Sequence, residues 1–266
     1  MLRIGKINFL NLYPVFYTLE RECDPSFFQF FEGTPSEVNR LLRDGMIEIS
    51  PSSSIEYLRR PEKYTLIDGH SISSAGAVQS ILLFSRYNIE ELDGKTVLAT
   101  AQSETSTALL KIILKKFYEL EPDIRISGSD IEKGLTNSAA YMLIGDDAMA
   151  AEKSSLISGF HPSIHVYDLG EIWYRETGLP FVFALWIGRK ECCKHEDFLG
   201  FIDLLDNARE FAVGNFEEIA RSARRKDFMS SPDLVTYWKN ISYDLGKAHK
   251  KGLDLFRKYL TEEELI

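Results

Sequence analysis

Hydrophobic and polar positions alternate along Leu2 to Phe9 ("LRIGKINF") with the two-residue period of a strand buried on one face. The aromatic run "SFFQFFEG", ending on Gly33, predicts a second strand, and "YTLIDG" and "AVQSILLFS" predict two more. Between them "TPSEVNRLLRDG" has helical spacing and clear ends. Thr34 is placed to cap, Pro35 takes the first helical position, Glu37 completes a capping box, and Gly45 closes the helix. Strand, helix and strand in that order predict a mostly parallel sheet covered by helices.

A second series follows Asn88. "KTVLAT" reads as a strand, Ser103 opens a helix, "DIRISG" is a strand, and a short polar helix covers Ile131 to Leu135. "AAYMLIGDDAMA" reads as a strand running into a helix, and "SIHVYDLG" and "LPFVFALWIG" as strands on either side of "EIWYRETG". After Arg189 the strand signals stop, and Phe198, Phe201, Ile202 and Leu205, then Leu253, Phe256 and Leu260, fall at helical spacing. No repeat or Pro/Ser-rich linker separates the series, so the chain is expected to cross directly between two lobes, outward at "ILLFSRYN" and back at "FALWIGRK". The expected division is 1–85 with 187–266 in one lobe and 86–186 in the other. This is the two-lobed, two-hinge α/β plan of solute-binding proteins, with ligand in a central cleft.

Composition narrows the partners. At 266 residues and 44% hydrophobic, the chain is long enough for one large core or two smaller ones. Its net charge of −9 disfavours nucleic acid, which needs clustered cations, and the one basic knot, "RSARRK" from Arg221 to Lys226, reads as a solvated helix face. No apolar run approaches the roughly 20 residues of a membrane span. Asn8, Asn11 and Pro14 interrupt what a signal peptide would keep apolar. Cys23, Cys192 and Cys193 form neither a disulfide framework nor a metal-ligand spacing, so a reducing cytoplasm is expected.

In a sheet of this kind ligands meet the C-terminal ends of strands and the helix N-termini that follow. In "ATAQSETSTALL" the strand ends at Thr100, and Ser103, Thr105 and Ser106 enter a helix whose free N–H groups and dipole favour an anion by about 0.3–1 kcal/mol. A serine there also serves as a plain cap. The same placement recurs at Asn8 and Asn11 before the helix near Leu12 to Pro14, and at Ser50 and Ser52 to Ser54 before the helix ending near Arg60. Together these uncharged turns describe a pocket for a carboxylated ligand in a protein whose overall field repels anions. Asp146 and Asp147 read as helix-capping carboxylates, with hydroxyl binding or orientation of the cleft as their other use. Trp173, Tyr174 and Phe181 to Phe183 read as core, while Trp173, Arg175 and Thr177 are within reach of the cleft rim.

The chain has no G-x-S-x-G, H-E-x-x-H, P-loop or G-x-G-x-x-G motif. His161 and His165 in "HPSIH" read as surface residues rather than a metal pair, which leaves His70 as the one histidine expected near the cleft.

Taken in order, "GKINFLNLYPVF", "GTPSEVNRLLRDGMIEISPSSSIEYL", "GAVQSILLFS", "LATAQSETSTALLKIIL", "LIGDDAM" and "DLGEIWYRETGLPFVFALW" resemble the chorismate dehydratase family of the futalosine route to menaquinone. The resemblance runs to about Arg189. It implies a fold like that of type II periplasmic binding proteins and a reaction that turns chorismate into 3-[(1-carboxyvinyl)oxy]benzoate with no metal or organic cofactor. By the family pattern, Asn11 and Ser80 contact the reacting centre, Asn11 as a donor to the leaving hydroxyl and Ser80 as an orienter. The same resemblance makes the substrate's own enolpyruvyl carboxylate the base. Ser103, Thr105 and Ser106 would then hold the ring carboxylate, with Asn8, Ser52, Ser53, Asp147, Trp173 and Thr177 as further candidate contacts. Two other readings remain: the sibling 1,4-dihydroxy-6-naphthoate synthase, and a cytoplasmic small-carboxylate binder without catalysis. No nucleic-acid or membrane partner is expected, and the sequence leaves the oligomeric state open.

Overall fold

The computed structural model describes residues 1–128, 130–154, 164–223 and 228–266. The alternating start of the chain forms β1 (Leu2–Ile7), with Leu2, Ile4 and Ile7 buried, followed by α1 (Tyr13–Glu22) and β2 (Phe28–Gly33). In α2 (Pro35–Arg43) the capping box forms: the Glu37 amide donates to Thr34 Oγ1, and the Thr34 amide donates to the Glu37 carboxylate at 2.8 Å. Gly45, at φ 75°, then turns the chain where a side chain would be strained. β3 (Ile49–Ser53), α3 (Ser54–Arg59) and β4 (Tyr64–Ser74) complete this stretch.

The second series contains β5 (Ile81–Ser85), β6 (Thr96–Thr100), α4 (Glu104–Ile112), β7 (Asp123–Ser127) and α5 (Ile131–Asn137). It continues through β8 (Ala140–Ile144), α6 (Gly145–Lys153), β9 (His165–Asp168), α7 (Leu169–Thr177) and β10 (Phe181–Arg189). α8 (Glu196–Gly214), α9 (Phe216–Ser222), α10 (Ser231–Asn240), β11 (Ser242–Leu245) and α11 (Lys247–Glu262) follow.

The strands form two mixed sheets, β11-β4-β10-β3-β1-β2 and β7-β6-β8-β5-β9. Two compact units contain them: Met1–Ser73 with Val182–Lys250, and Ser74–Phe181 with Lys251–Ile266. β5, placed by the sequence at the end of the first lobe, hydrogen-bonds between β8 and β9 in the second sheet. The end of α11 also falls in the second unit, where Phe256 packs against Trp173 and Phe181 at centroid distances of 6.1 and 4.8 Å.

Two readings of local structure change. Ser50, Ser52 and Ser53 were expected in a turn but lie inside β3, which is buried at every position because it sits between β1 and β10. The strand signals were expected to stop after Arg189, yet β11 pairs antiparallel with β4, bonded through Asp244 opposite His70. Four residues are too few for a two-residue period to stand out. His161 and part of the basic knot from Arg221 to Lys226 lie outside the described residues. No helix among the described residues is long and apolar enough to cross a membrane.

His70 is 2% exposed on β4, and its Nε2 lies 3.0 Å from Asp206 Oδ1 on α8, outside hydrogen-bonding geometry. Burial lowers the imidazole pKa from its ordinary 6.5 and the nearby Arg209 lowers it further, against the opposing pull of Asp206 and Asp244. The unfolded chain therefore takes up this proton at a higher pH than the folded one. The contribution to stability is complete above about pH 6.5 and declines below it until the folded imidazole also protonates, by about 1.4 kcal/mol for each unit of depression. Thermal unfolding from pH 7.5 down to 5 is expected to show Tm falling below pH 6.5, with a flatter profile in His70→Gln. Identical profiles would show that His70 is not the sensitive group.

Candidate active site

In the first unit, Asn11 occupies the loop between β1 and α1, and the chain on either side of it is fixed. The Leu10 carbonyl accepts the buried Trp238 Nε1–H at 2.7 Å, and the Asn11 carbonyl accepts the Tyr243 hydroxyl at 2.8 Å. Leu10 and Leu12 are buried. The backbone is therefore anchored while Asn11 Oδ1 is buried without a hydrogen-bond partner among the described residues. Leaving such an atom unpaired costs about 1–3 kcal/mol, a cost that a bound ligand can remove.

The other candidates of this unit have protein partners. Asn8 is exposed and donates Nδ2–H to Glu32 at 2.6 Å, within a surface ion cluster where Lys6 also meets Glu32 at 3.1 Å. Ser52 Oγ lies 2.7 Å from Ser50 Oγ, and Ser53 Oγ accepts from Asn39 Nδ2 at 2.7 Å. Asn8, Asn11, Ser52 and Ser53 nevertheless stand at or beyond the same end of the first sheet, because β1 and β3 run parallel.

The second unit gathers its candidates more closely. β6 and β8 are parallel, and β5 runs antiparallel to both β8 and β9, so the ends of β6, β8 and β9 and the start of β5 share one edge of the sheet. That edge carries Ser80 before β5, Ser103 to Ser106 after β6, and Asp147 after β8. Ser103 caps α4 as the sequence predicted: its Oγ accepts the Ser106 amide at 3.2 Å and lies 3.1 Å from Ser106 Oγ. Thr105 and Ser106 are 1% and 2% exposed, so these hydroxyls belong to a sheltered helix entrance rather than to open solvent. Asp147 is exposed and accepts from Gln102 Nε2 at 3.2 Å.

Ser80 is buried, and its carbonyl accepts the Gly145 amide at 2.7 Å, which ties the start of β5 to the start of α6. The residue before it, Gln79, has φ 61°, a left-handed conformation that costs a residue other than glycine about 1–3 kcal/mol. Asp168, the N-cap of α7, was not singled out from the sequence, although an Asp directly before "LGE" is an N-cap signal. Its carboxylate accepts the amides of Gly170 and Glu171 at 2.9 and 3.1 Å, and also those of Val78 and Gln79 at 3.1 and 2.6 Å. Burial raises the Asp168 pKa, and these four amides offset only part of that rise.

Trp173 is wholly enclosed, with Phe117, Phe181, Phe256 and Tyr259 around its ring, and its Nε1–H has no hydrogen-bond partner among the described residues. Thr177 Oγ1 donates to the Trp173 carbonyl at 2.7 Å, and Arg175 donates to the Tyr118 hydroxyl at 2.8 Å. Among the described residues no group of three or more His, Cys, Asp or Glu is placed to hold a metal ion.

Two α/β units of this topology make the fold periplasmic-binding-protein-like, as the sequence pattern predicted. A protein of Archaeoglobus fulgidus superposes with a TM-score of 0.78 at 16% identity, covering 100% of this chain and 98% of that one. The periplasmic aliphatic sulphonate binding protein of Escherichia coli does so at 0.68 and 12%, covering 100% and 93%. A Candida albicans protein with the generic periplasmic binding protein fold gives 0.69 and 10%, covering 100% and 90%. The chain belongs to the menaquinone biosynthesis family, whose model matches residues 2–262. It is 30% identical over 274 residues to the chorismate dehydratase of Thermus thermophilus, covering 97% of this chain and 94% of that one.

Proposed function

We propose that this protein is a cytoplasmic hydro-lyase that converts chorismate to 3-[(1-carboxyvinyl)oxy]benzoate in the futalosine route to menaquinone. Family membership and the named relative support the reaction class. The observation that carries the site assignment is Asn11, whose side-chain oxygen is buried and unpaired on an anchored loop.

The reaction removes the ring hydrogen beside the enolpyruvyl ether as a proton and the neighbouring hydroxyl as the leaving group. The C–H electron pair becomes the new ring double bond as the C–O bond breaks, the departing hydroxide receives the abstracted proton from the carboxylate that took it and leaves as water, and the ring becomes aromatic. Aromatisation supplies the driving force, so the protein has chiefly to orient the two departing groups and stabilise charge on the leaving oxygen. Rotation about the Asn11 Cβ–Cγ bond exchanges Oδ1 and Nδ2, and so offers an N–H donor to that oxygen. Ser80 orients the ring by hydrogen bonding, and the substrate's enolpyruvyl carboxylate takes the proton. The α4 N-terminus, with Ser103, Thr105 and Ser106, receives the ring carboxylate through neutral donors and the helix dipole.

Replacing Ser106 with Ala is expected to raise KM for chorismate by the equivalent of about 1–2 kcal/mol while kcat changes little. Unchanged KM and kcat would reduce Ser106 to its capping contact with Ser103. The reaction itself is tested by incubating purified protein with chorismate and following the diene absorbance together with the mass of the products. The expected result is loss of the diene and appearance of an aromatic acid lighter by one water. Chorismate recovered unchanged, with binding detected by calorimetry, would leave a carboxylate-binding protein. No binding of chorismate at all would favour a function like that of the sibling naphthoate synthase.

A further inference from the structure

The geometry points to Asp168 as a positioning residue that fixes the Gln79–Ser80 turn, and so sets the direction in which the Ser80 hydroxyl faces the substrate. The inference rests on the reading that Ser80 touches chorismate. Asp168 ends β9 and caps α7, and a cap needs only the amides of Gly170 and Glu171, both bound through Oδ1. Oδ2 serves another segment: it accepts the Gln79 amide at 2.6 Å, while Oδ1 also accepts the Val78 amide at 3.1 Å. One carboxylate therefore clamps a helix start to the loop that enters β5.

Three features show that this loop is held rather than merely resting. Gln79 keeps φ 61°, which persists only where the surroundings impose it. The Ser80 carbonyl, one peptide further on, is bound by the Gly145 amide at 2.7 Å, which fixes the far side of the turn. Ser74 Oγ bonds the Gly76 carbonyl at 2.9 Å, and a Cβ on Gly170 would come within 2.8 Å of that same carbonyl, so the first turn of α7 lies directly against the loop. Ser80 Oγ donates to the Val78 carbonyl at 3.4 Å, a long contact that leaves the hydroxyl's direction to the backbone.

Asp168→Asn separates the two roles. The amide keeps one acceptor oxygen, enough to cap α7, and its NH2 group, which cannot accept, then faces the Gln79 N–H. The expected result is a kcat for chorismate reduced by about ten- to a hundredfold, with KM and Tm close to wild type. Adding Asp168→Asn to Ser80→Ala should lower kcat no further, because the tether acts through a hydroxyl already removed. Adding Gln79→Gly to Asp168→Asn should restore part of kcat, since glycine holds a positive φ without support. Wild-type kcat in Asp168→Asn, or the same loss from it in the wild-type and Ser80→Ala backgrounds, overturns the inference. Should Asp168→Asn fail to fold, Asp168→Ser, which can still cap α7 but is too short to reach Gln79, is read by the same criteria. Full activity in Ser80→Ala alone would instead defeat the underlying reading of Ser80, a result distinct from either.

Discussion

Asn11→Ala is expected to lower kcat for chorismate by about a hundredfold, on the order of what removing one preorganised donor to a developing negative charge costs elsewhere. Its effect on stability is expected to be small. The loop is held through the carbonyls of Leu10 and Asn11, which the substitution leaves bonded to Trp238 and Tyr243. It also removes a buried oxygen that has no partner, so Tm should stay level or rise. Asn11→Asp tests the sign of the effect, because it keeps the shape but replaces the donor with an anion beside a dianionic substrate. Both variants should bind poorly or turn over slowly while remaining folded. Full kcat in Asn11→Ala would remove Asn11 from the mechanism.

Gly252→Ala should be the most damaging of the simple structural substitutions. Gly252 is buried on α11, and a Cβ there would lie 2.0 Å from the backbone oxygen of Pro180. A backbone atom cannot move aside as a flexible side chain would, so α11 must separate from the start of β10 and disturb the Trp173, Phe181 and Phe256 cluster. A loss of about 2–4 kcal/mol is expected, seen as a lower denaturation midpoint at unchanged slope. Gly200→Ala in α8 is the control: nothing lies within 4 Å of the added atom, and the better helix former should raise stability by up to about 1 kcal/mol. Equal midpoints for the two variants would contradict the packing described for α11.

Features with a local cause were legible in the sequence. The Thr34 and Glu37 box, the Ser103 cap and the strand–helix alternation through β1, β2, β6 and β8 depend on residues a few positions apart, and the structure forms them all. Features created by distant partners were not. Pro51 among serines signals a turn, yet Pro51 lies opposite Trp186 inside β3, because the small side chains fit between two neighbouring strands. β11 exists through its pairing with β4, and the anchors of the Asn11 loop, Trp238 and Tyr243, come from more than 200 residues along the chain. The Asp168 clamp was hidden for the same reason: the cap is local, whereas the hold on Gln79 spans 89 residues. Trp173 read as core with reach to the cleft rim, and its ring of aromatic neighbours places it in the core.

In the proposed reaction uncharged amide and hydroxyl groups, rather than a charged acid–base pair, act on chorismate. A crystal structure with 3-[(1-carboxyvinyl)oxy]benzoate bound tests it most directly. The Asn11 carboxamide and the Ser80 hydroxyl are expected within hydrogen-bonding distance of the ligand, with a carboxylate at the N-terminus of α4. A ligand that touches neither Asn11 nor Ser80, or whose ring carbons lie against a His, Glu or Lys side chain placed to take the proton, would contradict it.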